Sequence, residues 1–167
     1  MASIRPVKVE FTLHGGPPLQ VSLPEAANQT FVEGEAVYLD GDGRVAEYTA
    51  SIDDGTQRFL GFAAQDGHNN ATAGAVNCQV LLPKGTVFSA NATSAGSNQA
   101  TAIAQVGVAY PMYQNTTNGV IQIDIADTGS QGDWVRVYGI HPEAAVGESN
   151  GRLLFTIVNQ ALQIAAD

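Results

Sequence analysis

Apolar and polar residues alternate with a period of two along most of this chain. Successive side chains of a β-strand point to opposite faces of its sheet, so the alternation indicates strands with one face buried and one exposed. The clearest runs are 7–13, 19–23, 121–125 and 153–157, and glycine, proline, asparagine and aspartate residues separate them. These turn formers and runs predict an all-β fold of about ten short strands, arranged as a small β-barrel or a β-sandwich.

One turn is specific enough to predict a hairpin. The sequence Asp40-Gly41-Asp42-Gly43 separates two short apolar runs, and both Gly and Asp tolerate the positive φ that tight hairpins require. Two segments break the alternation. The alanine-rich segment 97–105 predicts a short helix, and we expect at most one such helix in the body of the fold. Residues 159–166 could form a final helical turn or a loose tail.

The first 25 residues differ from the rest in charge. Of the 7 basic and 16 acidic residues, the first 24 positions hold Arg5, Lys8 and Glu10. Prolines at 17, 18 and 24 favour extended backbone, because proline excludes helix at its own and the preceding position. We interpret residues 1–25 as an extended N-terminal arm that lies on another protein, or as a first hairpin, and residues 26–167 as a β-barrel body.

Composition restricts the partners of this chain. A formal charge of −9 argues against direct binding to nucleic acid, which requires a basic surface. No apolar run approaches the ~20 residues that span a bilayer, so we expect no membrane partner. Charged residues are 14% of the chain and only two are lysines. Lysine is depleted at protein interfaces, so the surface is either that of an ordinary low-lysine β-protein or one largely covered by other subunits.

We find no motif that predicts catalysis, a cofactor or a metal. Cys78 shares a strand face with Val76 and Val80 and is predicted to be a core residue. The three histidines lack the spacing of a zinc site, and the Asp40 turn lacks the later ligands of a calcium loop. We therefore expect a protein that is not an enzyme. An unrecognised enzyme stays open, since the fold alone sets the distance between paired carboxylates.

One strand carries two different faces. Val135 and Val137 are expected to face the core, while Trp134, Arg136 and Tyr138 share the opposite face. Aromatic and arginine side chains are enriched at protein contacts and also occur in sugar-binding grooves. Alternatively, Trp134 and Tyr138 could close one end of the barrel with Arg136 between them.

Several segments resemble a known family. The order of residues 31–38 (FVEGEAVY), 43–46 (GRVA), 58–64 (RFLGFAA) and 80–88 (VLLPKGTVF) is similar to that of the capsid decoration, or cement, proteins of tailed bacteriophages. The resemblance covers roughly residues 31–90, with a weaker echo at 105–109 and 137–140. It implies a small β-barrel that trimerises at local three-fold positions on the capsid exterior and clamps adjacent major capsid subunits. The chain differs by extra length in 1–25 and 111–167.

The resulting hypothesis is a structural virion protein that binds the outer capsid surface as a homotrimer and stabilises the capsid. Its partners would be the major capsid protein and further copies of itself. The candidate contact residues are Arg5, Lys8, Phe11, Trp134, Arg136 and Tyr138. The alternative is a carbohydrate-binding β-sandwich module of a phage fibre or host-adhesion protein, with Trp134 and Tyr138 as the sugar platform.

Overall fold

The structure is a computed structural model that describes residues 5–48, 59–115, 119–127 and 135–158. These residues form thirteen strands and one short 3₁₀ turn, which confirms the predicted all-β class. The strands are β1 (Lys8–Thr12), β2 (Gln20–Pro24), β3 (Ala36–Leu39), β4 (Val45–Glu47), β5 (Phe59–Ala63), β6 (Asn77–Leu81), β7 (Thr86–Ser94), β8 (Ser97–Asn98), β9 (Ala109–Tyr110), β10 (Met112–Gln114), β11 (Ile121–Asp124), β12 (Val135–Ile140) and β13 (Arg152–Ile157).

The strands form two sheets. The large sheet has the order β10-β11-β7-β13-β12-β9, and β1 and β8 also pair with the long strand β7. The small sheet has the order β2-β6-β5-β3-β4. Only the β11–β7 pair is parallel among the strand pairs of the described residues.

The core lies between the two sheets. Phe62 of the small sheet packs against Phe88 and Phe155 of the large sheet, with ring centroids 4.9 Å and 6.3 Å apart. These rings belong to one buried cluster that draws on both sheets, so the architecture is a β-sandwich. Both sheets have edge strands and no closed barrel forms among the described residues. Of the two architectures that the sequence predicts, a barrel or a sandwich, the described residues form the sandwich.

A second apolar cluster covers the other face of the small sheet. It contains Phe31, Leu60, Cys78 and Val80, all buried. Backbone hydrogen bonds such as Gly67 N–H to Phe31 O, 2.8 Å, hold the surrounding loops over it. Burial, and then the negative charge of Glu25, raise the pKa of the Cys78 thiol to about 12. The prediction that Cys78 is a core residue is confirmed.

The N-terminal residues join both sheets of the sandwich. β1 pairs with β7, and β2 pairs with β6. The glycines and prolines at 15–18 redirect the chain between them, with Gly15 at φ 70°. This differs from the expected arm or hairpin, because both strands find their main-chain partners in the body and not in each other.

The hairpin and helix predictions have different outcomes. β3 and β4 pair around the Asp40 turn as predicted, and Asp40 Oδ1 accepts the N–H groups of Asp42 and Arg44, both at 2.9 Å. The segment 97–105 instead begins with β8, which turns back on β7. Only Ile103–Gln105 forms a 3₁₀ turn, in which Gln105 Oε1 accepts the N–H of Ala102 at 2.9 Å. Residues 159–166 lie outside the described ranges.

Candidate functional site

β12 presents an apolar face and a solvent face. Val135 and Val137 are buried in the core, as the alternation predicts, while Arg136 and Tyr138 are exposed. The Tyr138 side chain is 55% exposed. Trp134, the third residue of the predicted stripe, lies outside the described residues. The outer face of the large sheet therefore presents at least two of the predicted contact side chains.

Phe11 of β1 reaches Tyr138 across the outer face of the large sheet. Their ring centroids are 5.9 Å apart with an interplanar angle of 71°, an edge-to-face contact. Phe11 is itself 40% exposed. We call these two residues the aromatic pair. It is an apolar surface feature built from positions that are distant in the sequence.

A shift in strand register places Phe11 outside. Val7 is buried and Val9 packs against the core, so strict alternation would bring Phe11 inward as well. The β1–β7 register shifts between Val9 and Phe11. A one-residue irregularity moves the following side chains to the opposite face of a sheet. The aromatic pair thus depends on a local departure from the pattern that predicts the strand.

Arg136 points toward a neighbouring loop. Its Nη1 lies 3.5 Å from the carbonyl oxygen of Gly107, a long hydrogen bond. That loop also carries the exposed apolar side chains Ile103 (71%) and Val106 (42%). Arg136 therefore borders an exposed apolar segment at one edge of the large sheet.

Arg5 and Lys8 lie at a different place, beside a cavity of about 320 Å³. The Arg5 backbone N–H donates to Asn91 Oδ1 at 3.0 Å, and its exposed guanidinium lies 3.8 Å from Glu143 Oε2. The residues lining the cavity are Arg5, Pro6, Val7, Lys8, Glu10, Glu33, His141, Glu143 and Arg152. Two predicted contact residues thus form part of a polar cavity.

Arg152 is the most buried charged side chain of this cavity, with 7% exposure. Its Nη2 donates to Ser89 Oγ at 2.6 Å, to Ser89 O at 2.8 Å and to Pro6 O at 3.1 Å. Its Nε donates to Ser89 Oγ at 3.1 Å. Burial lowers the pKa of Arg152, an effect that the charge of Glu10 opposes. The guanidinium fastens the N-terminal residues to the face of β7.

Glu10 lies beside this network and is held as a carboxylate. Ser89 Oγ donates to Glu10 Oε1 at 2.6 Å, and His141 Nε2 lies 3.4 Å from the same oxygen. Burial raises the pKa of Glu10. The hydrogen bonds from Ser89 and His141 and the charges of His141 and Lys8 lower it by more than burial raises it, so the net shift is downward. On its other side, the His141 ring has its Nδ1 3.1 Å from the backbone nitrogen of Glu143.

Sequence reasoning missed Glu10, His141 and Arg152 as a group. Arg152 alternates with the inward residues Leu153 and Phe155, which would predict an exposed side chain. It is buried because the N-terminal residues cross the outer face of the sheet above it, as the Arg152 Nη2 bond to Pro6 O requires. A charged residue at the start of a mostly apolar strand was the one available signal.

A third polar contact lies near the second apolar cluster. The buried carboxylate of Glu25 accepts the backbone N–H of His68 and contacts His68 Nδ1, both at 2.8 Å. Across the ranges that the structure describes, no group of three or more His, Cys, Asp or Glu side chains is placed to hold a metal ion. Within those same ranges no helix has the length and apolar character to cross a bilayer.

Comparison with known proteins adds no relative. A scan against protein-family models finds no match, and a search of curated proteins finds none either.

Proposed function

We propose that this chain is a structural virion protein that decorates the outside of a bacteriophage capsid as a homotrimer. It would act as a cement protein that stabilises contacts between major capsid subunits. The sequence resemblance over residues 31–90 supports this proposal. Those segments supply β3 to β7 and so contribute to both sheets of the sandwich.

The observation that carries the proposal is the exposed aromatic pair. Phe11 and Tyr138 leave 40% and 55% of their side chains in water. Covering what is exposed would remove roughly 200 Å² from water, worth about 4–5 kcal/mol per copy before entropic costs. Three copies in one trimer would add avidity, because the first contact raises the effective concentration of the others.

Surface chemistry supports the same proposal. With only two lysines and 14% charged residues, the chain loses little side-chain entropy when another protein covers it. The net charge of −9 is repelled by nucleic acid and suits the exterior of a DNA-filled shell. These features favour protein partners at the capsid exterior over nucleic acid inside it.

Alanine substitution of the aromatic pair tests the proposal. Phe11→Ala and Tyr138→Ala should each weaken binding to capsids assembled without the protein by about tenfold or more. Val146→Ala is the matched control, since Val146 is also apolar and 61% exposed but does not belong to the pair. Sedimentation of capsids with bound protein measures the affinity, and thermal unfolding verifies that each variant is folded.

Two results would count against this assignment. One is wild-type affinity for capsids in both folded aromatic variants. The other is the same loss of affinity in Val146→Ala, which would show that binding does not depend on the pair.

A carbohydrate-binding module of a fibre or adhesion protein is the second candidate. It is favoured by the exposed ring of Tyr138 beside Arg136 on a strand face, because sugar rings stack on exposed aromatic side chains. A glycan array probed with wild-type protein separates the two candidates. Saturable glycan binding that is lost in Trp134→Ala, with little change in melting temperature, together with no capsid binding, would favour the second.

A further inference from the structure

Arg152 carries a buried positive charge without an ion-pair partner among the described residues. Only 7% of Arg152 is exposed. Nevertheless, no carboxylate oxygen of the described ranges lies within 4.0 Å of its guanidinium. Its acceptors are the neutral oxygens of Ser89, Asn91 and Pro6. A buried charge is normally paired, because removal from water is costly.

The Nη1 end of the Arg152 guanidinium makes few hydrogen bonds. Nη1 has a single long contact, 3.5 Å to Asn91 Oδ1, and that oxygen already accepts the shorter bond from the Arg5 N–H at 3.0 Å. A guanidinium stays protonated in proteins and presents a planar set of donors that matches a carboxylate. Arg152 lines the 320 Å³ cavity, so an entering carboxylate would meet an underused donor.

The other charges of the cavity select the kind of ligand. Arg5, Lys8 and Arg152 supply three positive charges, and three glutamates at 10, 33 and 143 supply three negative ones. A lining that carries equal numbers of both charges favours a ligand that also carries both, because the cations can receive its negative group and the glutamates its positive group. The volume is at the lower end of the range for small-molecule sites. A compact zwitterion matches both the charge and the size.

We propose that the cavity between the N-terminal strand and residues 141–143 binds a free amino acid, with its carboxylate on Arg152 and its ammonium group toward Glu33. This site is separate from the aromatic pair and does not depend on the proposed capsid role. Glu33 is the chosen ammonium partner because its side chain is exposed at the cavity. Glu10 and Glu143 are engaged by Ser89 and Arg5.

Titration of the full chain with four probes tests the proposal. L-alanine carries both charges, acetate only the carboxylate, methylammonium only the positive group, and inorganic phosphate a higher negative charge. L-alanine should bind saturably at concentrations up to about 50 mM, and acetate about tenfold more weakly. Methylammonium and phosphate should not saturate. The Nε–H resonance of Arg152 in ¹⁵N NMR spectra should shift with L-alanine, which locates the site without a mutation.

Two variants separate the roles of the charges. Glu33→Gln should weaken L-alanine binding about threefold or more and leave acetate binding unchanged. Glu47→Gln, outside the cavity lining, is the control and should change neither. Arg152→Lys should lose about tenfold or more for both ligands, because lysine lacks the Nη1 group that is to meet the carboxylate. If this variant does not fold, the Arg152 resonance and Glu33→Gln still decide the question.

The proposal is overturned if L-alanine does not saturate, or saturates without shifting the Arg152 resonance. It is also overturned if acetate or phosphate binds as tightly as L-alanine, since the ammonium contact would then contribute nothing. Equal L-alanine affinity in Glu33→Gln and wild type would have the same consequence.

Discussion

Glu10 and Glu35 have pKa values shifted in opposite directions from the ordinary 4.5. Both carboxyl groups are removed from water, which favours the neutral form. Glu10 has donors and positive charges from Ser89, His141 and Lys8 around it, and these lower its pKa overall. Glu35 has one backbone donor, Val32 N–H at 2.9 Å. Burial and the negative charges of Glu47 and Asp66 prevail there and raise its pKa.

Glu10→Gln should destabilise the protein at neutral pH by about 1–2 kcal/mol, the usual loss for hydrogen bonds to a charged group. Because the folded pKa lies below 4.5, the carboxylate stabilises the fold above that pH. Its contribution is lost as the pH falls through the folded pKa. Urea unfolding at pH 7 and at pH 3 should therefore show a difference from wild type that shrinks in acid. An equal difference at both values would contradict the assignment.

Glu35→Gln should change the stability of the fold in the opposite direction from Glu10→Gln. The folded pKa lies above 4.5, so ionisation of Glu35 costs stability as the pH rises from 4.5 through the folded pKa. Glutamine removes this cost and its Oε1 can still accept the Val32 N–H. We expect the variant to be more stable than wild type by about 1 kcal/mol at pH 7. The gain should vanish below pH 4.5 in the same urea series, and a loss of stability at pH 7 would contradict it.

At the scale of elements, Gly61 sets how closely β5 and β6 approach. A Cβ at this position would collide with the carbonyl oxygen of Leu81 and lie 3.1 Å from Val80 Cγ1. The carbonyl belongs to backbone and cannot rotate away. Close approach of a neighbouring main chain is a standard reason for glycine within a strand.

Gly61→Ala should therefore destabilise the fold by about 1–3 kcal/mol, the usual range for overpacking. Gly41→Ala is the matched control, since a Cβ there meets nothing within 4 Å in the Asp40 turn. It should change the free energy of unfolding by less than about 0.5 kcal/mol. Thermal unfolding of both variants measures the contrast, and similar melting temperatures would show that β6 can move away.

Alternation in the sequence predicts local features of the strands well and their partners poorly. It gives the buried and exposed faces of β12, and the Asp40 turn gives the β3–β4 hairpin. It cannot show that β1 pairs with β7, because such pairing joins residues far apart in the chain. Nor does alternation reveal a register shift. One extra residue in a strand leaves the apolar–polar order of the sequence unchanged, but the side chains after it point to the opposite face of the sheet. Phe11 is exposed for that reason.

At the scale of the whole molecule, the two surface sites result from assembly of distant segments. The aromatic pair joins β1 to β12, and the cavity joins β1 to β13 and residues 141–143. Arg136 and Tyr138 could be named from residue type and strand phase, whereas the exposure of Phe11 depends on the register shift in β1. The pairing of Arg152 with the N-terminal residues could not, because it depends on which segment crosses the outer face. Both sites thus require the N-terminal strand to be folded into the sandwich.

The oligomeric state is the last prediction. A homotrimer should give a native mass three times 17.4 kDa by light scattering across a range of concentrations. If the aromatic pair faces the capsid and not the other protomers, Phe11→Ala and Tyr138→Ala should keep that mass while they lose capsid affinity. Trimers that dissociate in these variants would place the pair between protomers instead. A wild-type monomer at every concentration would contradict the trimer and favour the carbohydrate-binding module, whose single sugar platform needs no second copy.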